Sequence, residues 1–108
     1  MPTYNGERFI RQALDSLLAQ DYPNFEILIS DNASTDATPD IIREYAGRDP
    51  RVTVVRHPAN IGAPANFNFV FHETTGPYFM WAADDDRWEP GYVSACVEAL
   101  QAAPRAVA

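Results

Sequence analysis

Short apolar runs, rich in β-branched or aromatic residues, recur along this chain about every 26 residues, at "FEILISD" (25–31), "RVTVVRH" (51–57) and "YFMWAAD" (78–84), with helix-patterned segments between them. A strand that rejoins its sheet in the same direction needs a crossover of a dozen or more residues, usually a helix. The spacing therefore predicts β-α-β units, a parallel sheet and an α/β fold. Residues 7–20 put Phe9, Ile10, Ala13, Leu14, Leu17 and Leu18 on one helical face, with Asn5 or Gly6 as the cap. Thr38-Pro39 reads as N-cap and first residue of a second helix, with Ile41, Ile42, Tyr45 and Ala46 inward. A third helix is expected over 64–74, carrying Phe67, Val70 and Phe71, and a fourth from about Pro90 to Ala103, with Val93, Cys96, Val97 and Leu100 on one stripe.

Only Met1 to Thr3 precede the first loop, too few for a full strand, and the chain stops one helix beyond the third apolar run. It reads as one truncated domain over 1–108, the front half of something longer, with "AAPRAVA" able to begin another strand. The sheet edge left by so short a first strand could pair chains into a homo-oligomer.

Composition removes several function classes. Fifteen acidic residues stand against eight basic ones, for a net charge of −7, and every basic residue is Arg. No nucleic acid is expected as a partner, because a phosphate-tracking surface is basic. The missing lysine also excludes a P-loop and counts against a phosphate-receiver domain, and no G-x-G-x-x-G occurs. A lone Cys96 with only His57 and His72 offers no zinc pattern. No apolar run is long enough to span a bilayer, and no signal-peptide pattern opens the chain. The expected location is the cytoplasm, with the inner face of the membrane as a working site.

Ligands of open parallel sheets bind outside the carboxyl ends of the strands. The segments that follow the strands here are "TYNGE", "DNASTD", "HPANIGAPANFN" and "DDDRW". Turn and cap chemistry accounts for any one of them; their convergence on one sheet edge is the functional signal. Asp84, Asp85 and Asp86 repel one another, and a divalent cation such as Mg²⁺ or Mn²⁺ relieves that repulsion by taking one or two carboxylates together with phosphate oxygens and water.

Four motifs, "PTYNGE", "EILISDNASTDAT", "NIGAPANFN" and "YFMWAADDDRWEP", occur in an order and spacing that resemble the nucleotide-binding half of family 2 glycosyltransferases. The resemblance covers nearly the whole chain and implies a GT-A fold, Rossmann-like, with a mainly parallel sheet and helices on both faces, and an enzyme that inverts the anomeric centre. It implies that Pro2 and Tyr4 border the nucleotide base, that Asn5 and Glu7 belong to the same substrate-binding motif, and that Asp31 hydrogen-bonds the base. The family's common "DDGSTD" has its second Asp at Asn32 here, which leaves Asp31 as the base reader. Asn60, Gly62 and Asn68 match the loop and helix start beside the ribose and diphosphate. The acidic triplet resembles the family's D-x-D motif, with Ala83 where many members carry its first Asp. On that alignment Asp86 is the metal ligand, for Mn²⁺ or Mg²⁺, and Asp84 or Asp85 lies nearer the ribose.

The donor implied is a UDP-, GDP- or dTDP-sugar, and the acceptor a carbohydrate or lipid-linked hydroxyl. The variant "SDNASTDAT" with "FMWAADDD" looks like the subset that builds bacterial cell-surface polysaccharides. No catalytic residue is assigned, since the family's general base lies further along, in the acceptor half. Two other classes stay open: a sugar nucleotidyltransferase, which should open on a Gly-rich phosphate loop unlike "MPTYNGERFIRQ", and a non-catalytic module whose triplet holds a cation. His57 and His72 are expected to be surface or capping residues and Cys96 a buried, inert thiol. Phe79 and Trp81 are expected to pack in the core or between layers, Trp88 to lie near substrate, and Arg87 to meet a phosphate or a neighbouring Asp.

Overall fold

Three parallel strands in the order β1-β2-β3 form the sheet: β1 (Pro2–Thr3), β2 (Ile27–Asp31) and β3 (Val52–Arg56). The computed structural model describes residues 1–102, so a strand begun by "AAPRAVA" lies outside the described residues. Helices α1 (Ile10–Leu18) and α2 (Thr38–Arg48) fill the two crossovers and pack on each other, α2 also against β2 and β3. After β3 the chain turns back: α3 (Ala63–Glu73) contacts β1 and β2 instead of continuing outward, and α4 (Tyr92–Ala102) follows the acidic loop. The expected α/β class and parallel sheet are present, and α3 returns the chain to the β1–β2 side of the sheet.

The core follows from the sequence periodicities. Ile10, Ala13, Leu14 and Leu17 of α1 meet Ile41, Ile42 and Tyr45 of α2 over Ile27, Ile29 and Val52 of the sheet. Each fully buried aliphatic side chain contributes roughly 1.5–3 kcal/mol. The α4 stripe is present, with Val97 buried and Val93 and Leu100 half-buried; Cys96, expected buried, is also only half-buried, because α4 lies at the margin of the core.

Four other expectations need correction. Helix α1 starts at Ile10, not residue 7, because the Gly6 carbonyl accepts the Phe9 and Ile10 N–H groups (3.2 and 3.0 Å) in a preceding turn, and no side chain caps the helix. Thr38 lies inside α2, and its hydroxyl accepts the Gly6 N–H at 2.9 Å, so it serves the neighbouring loop and not its own helix end.

The run at 78–84 forms no strand among the described residues. β1 contributes two residues to the ladder, and one of them is Pro2, which has no N–H to offer. Without a partner edge the segment is held by side chains, through buried Ala82 and a bond from Thr3 to Asp84. Finally, α3 turns Asn66 and Val70 inward, while Phe67 and Phe71 are 45% and 53% exposed. Those two rings join Phe79 and Trp81 in an aromatic cluster with centroids 4.7 to 6.5 Å apart, and Trp81 is 45% exposed, so the packing is between α3 and the 79–81 segment on the surface.

Candidate functional site

The carboxyl ends of the strands bring the predicted loops to one edge, where they bond to each other before any ligand is considered. The β1–α1 turn is laced to the β2–α2 turn: Asn5 N–H donates to Ser34 Oγ (2.9 Å), Thr35 N–H to Asn5 Oδ1 (2.8 Å) and Ala37 N–H to Glu7 Oε2 (3.0 Å). The Asn5 and Glu7 side chains are thus engaged as braces. Asn5 has φ 49° and Ala33 φ 61°, the left-handed region that an Asn tolerates and an Ala enters at a cost of about 1 kcal/mol or more. Asp36 is held below the ordinary carboxylate value: partial desolvation opposes ionisation, and the Thr38 hydroxyl with the Thr38 and Glu7 N–H groups outweighs it.

The β2 end is laced in turn to the loop after β3. Asn32 Nδ2 donates to Asn60 Oδ1 at 3.0 Å, and Asn32 Oδ1 accepts the Ile61 N–H at 2.8 Å. Asn60 Oδ1 also takes the Gly62 N–H (2.8 Å), and Gly62, at φ 86°, uses a conformation open to glycine.

Asp31 sits at the centre, fully buried. Its Oδ1 accepts the Ser34 N–H and hydroxyl (3.2 and 2.5 Å), while Oδ2 has no hydrogen-bond partner. The nearest cation is Arg56, whose Nε lies 3.6 Å from Oδ2 and whose Nη2 donates to the Ser34 carbonyl at 3.0 Å. A buried carboxylate with one unsatisfied oxygen is costly. An imino N–H from a ligand would relieve it once the half-exposed Arg56 side chain yields.

The acidic triplet divides. Asp84 is half-buried and accepts the Thr3 hydroxyl at 2.5 Å, close over the β1–α1 turn: a Cβ on Gly6 would come within 2.6 Å of Asp84 Oδ2. Asp85 and Asp86 are exposed, and Asp86 Oδ1 accepts the Arg87 N–H at 2.8 Å. No three His, Cys, Asp or Glu side chains converge among the described residues, so there is no all-protein metal cage there. A Mg²⁺- or Mn²⁺-type ion needs no such cage, because it takes one or two carboxylates and completes its octahedron with phosphate oxygens and water. Two exposed carboxylates beside a docked third fit that donor set.

Of the other predicted residues, Pro2 is buried in β1, Tyr4 is 49% exposed at the same edge, and Asn68 is exposed on α3. The α3 asparagine turned into the protein is Asn66, whose amide bonds the hydroxyl and carbonyl of Ser30. Ser30, Ser34, Arg56 and Asn66 were not singled out from the sequence. A polar residue at an inward position of an apolar run is the signal that marks Ser30 and Asn66. His57 is also more than a surface residue, since its ring bonds Ser30. Trp88 is half-buried against the core cluster.

Comparison with known proteins matches residues 1–108 to the family described as glycosyl transferase family 2. The putative teichuronic acid biosynthesis glycosyltransferase TuaG of Bacillus subtilis is 35% identical over 88 residues, 82% of this chain and 35% of its own length. The putative colanic acid biosynthesis glycosyl transferase WcaA of Escherichia coli is 36% identical over 96 residues, covering 87% and 34%. Staphylococcus aureus TarS 1–349 in complex with UDP superposes with a TM-score of 0.85 at 28% identity, over 94% of this chain and 30% of that one. The mannosyltransferase PcManGT from Pyrobaculum calidifontis, in complex with GDP-Man and Mn²⁺, gives a TM-score of 0.83 at 31% identity, over 92% and 30%. The chain spans about a third of the length of these relatives.

Proposed function

Because the chain belongs to glycosyl transferase family 2, we propose that it supplies the nucleotide-sugar-binding part of a metal-dependent, inverting glycosyltransferase that works in bacterial polysaccharide synthesis. The observation that carries the reading is the buried Asp31 carboxylate, one oxygen of which has no hydrogen bond and faces only the half-exposed Arg56, at the centre of three interlaced strand-end loops. Uracil, thymine and guanine each present a ring N–H that such an oxygen can accept; adenine and cytosine do not at the corresponding position. The neighbours that bind UDP and GDP-Man, and the polysaccharide roles in the names of TuaG and WcaA, support the same reading.

Within it, Pro2 and Tyr4 flank the base, and the Asn60–Gly62 loop lies beside the ribose and diphosphate. Asp86 is the carboxylate that would hold Mn²⁺ or Mg²⁺, with Asp84 or Asp85 toward the ribose. The ion, when bound, supplies Lewis-acid stabilisation of the negative charge that develops on the leaving diphosphate. In the reaction an acceptor hydroxyl forms a bond to the anomeric carbon as the bond to the diphosphate oxygen breaks. The acceptor proton goes to a general base, a role assigned to none of the described residues.

Calorimetric titration with UDP, GDP and dTDP, with and without Mn²⁺, on the native chain and on Asp86→Ala tests this. One of the three nucleotides should bind, more tightly with Mn²⁺, and the metal effect should vanish in the variant. A folded chain that binds none of the three under either condition would contradict the proposal.

A further inference from the structure

Beneath the strand-end loops lies a buried polar chain that donor recognition does not itself use. Ser30, fully buried on β2, precedes Asp31; Asn66, 3% exposed, lies in α3; His57 directly follows β3. Asn66 Nδ2 donates to the Ser30 carbonyl at 3.1 Å, which turns Asn66 Oδ1 toward the Ser30 hydroxyl, 2.6 Å away. The single hydroxyl proton therefore goes to Asn66, and Ser30 Oγ accepts from His57 Nε2–H at 2.9 Å. By this logic the Ser30–His57 contact requires the His57 tautomer that carries a proton on Nε2. The His57 backbone N–H donates to the Asp31 carbonyl at 3.0 Å, and its ring stands edge-on to Phe69, with centroids 4.7 Å apart.

Two of these residues bracket the loop that carries Asn60, Ile61 and Gly62. His57 anchors its start to β2, Asn66 anchors its end to β2, and between them the loop reaches the Asp31–Ser34 turn through Asn32 alone among the described side chains. We propose that the Ser30–His57–Asn66 chain is a positioning device that sets this loop against the Asp31 turn, so that His57 governs donor affinity without touching donor. The affinity half of the inference rests on the donor-binding reading above; the positioning half does not. Fully satisfied buried networks of this kind fix one arrangement, and losing one member leaves the others unpaired in a site of low polarity.

The test uses the 108-residue chain with His57→Phe, His57→Gln and Ser30→Ala, followed by residue-resolved amide hydrogen exchange and nucleotide titration. Gln places an amide N–H where His57 Nε2–H stands; Phe fills the ring's space with no donor. In His57→Phe and Ser30→Ala the Ile61 amide, which donates to Asn32, should exchange about tenfold faster or more, while amides of the β2–β3 ladder keep their protection. His57→Gln should restore Ile61 protection. The nucleotide that the native chain binds should weaken by a similar factor in the Phe variant and recover in the Gln variant. Ile61 protection unchanged in both disrupting variants overturns the proposal, as does equal loss across the ladder, which marks a general loss of stability. If His57→Phe fails to fold, Ser30→Ala, which removes one hydroxyl, decides by the same criteria. A native chain that binds no nucleotide defeats the donor reading, and exchange at Ile61 still decides the positioning.

Discussion

The Asp31 side of this site and its acidic side are built in opposite ways. Around Asp31 the three strand-end loops are tied to one another by side chain–backbone bonds at Asn5, Glu7, Asn32, Ser34 and Thr38. Among the described residues the acidic loop reaches the same edge through one side-chain bond, Thr3 to Asp84, and leaves Asp85 and Asp86 in solvent. Regular strands can deliver preorganised loops, because the ladder fixes both ends of each. A segment without a strand partner delivers its carboxylates loosely, so their final geometry depends on what they bind. On the proposed reading, the Asp31 side, where a base would sit, is set by folding, and the acidic side, where a diphosphate would sit, would be completed by ligand and cation.

The largest expected effect comes from removing the centre of the ordered side. Asp31→Ala should weaken nucleotide binding by about tenfold to a hundredfold, the worth of one charge-assisted bond, and should leave the response to Mn²⁺ in place. An unchanged affinity by calorimetry would erase the distinction between the two sides. Gly6→Ala attacks their single junction. A methyl group within 2.6 Å of Asp84 Oδ2 and 2.8 Å of Thr3 Oγ1 must displace Asp84. Thermal unfolding should show a loss of about 1 kcal/mol, and the metal-dependent part of binding should fall more than the metal-independent part.

A gain is expected on the ordered side from Ala33→Gly, which relieves the left-handed residue in the Asp31 turn. Stability should rise by roughly 0.5–1 kcal/mol, read by denaturant midpoint, whereas a loss would mean that Ala33 is held there by packing. The smallest effect is with pH. Asp49 is brought down to about 2, chiefly by the Arg51 side chain, and Asp36 also lies below the ordinary 3.8. A carboxylate depressed on folding contributes stability that is present above its unfolded value and is lost as pH falls through the folded one. Stability should therefore decline between pH 3.8 and about 2, and Asp49→Asn should flatten part of that decline.

The parts of the fold legible from sequence are those where pattern and partner are both local. Helix α2 follows from Thr38-Pro39 and its inward Ile41, Ile42 and Tyr45, and β2 and β3 from β-branched runs closed by turn residues. The run at 78–84 is also apolar, though aromatic and without a β-branched residue, and is no strand here, because periodicity cannot say whether an edge exists for it to pair with. Helix α3 shows the converse: its most buried side chain after Val70 is an asparagine, so of the apolar residues at helical spacing Val70 is buried while Phe67 and Phe71 are exposed. Within the site, the convergence of the loops was readable from the α/β order alone. The bracing by Asn5 and Glu7, and the joining of Ser30, His57 and Asn66 into one chain, depend on contacts across 27 or more residues; an inward polar residue in an apolar run marks Ser30 and Asn66 singly but not their pairing.

The most direct measurement of the division between the two sides is a pair of titrations on the native chain, nucleoside and nucleoside diphosphate of the same base, each with and without Mn²⁺. The account predicts that the nucleoside binds weakly and equally well with or without the ion, while the diphosphate gains affinity only when Mn²⁺ is present. A nucleoside whose binding itself requires Mn²⁺, or a diphosphate indifferent to it, would contradict the assignment of Asp31 to the base and of the acidic loop to the metal.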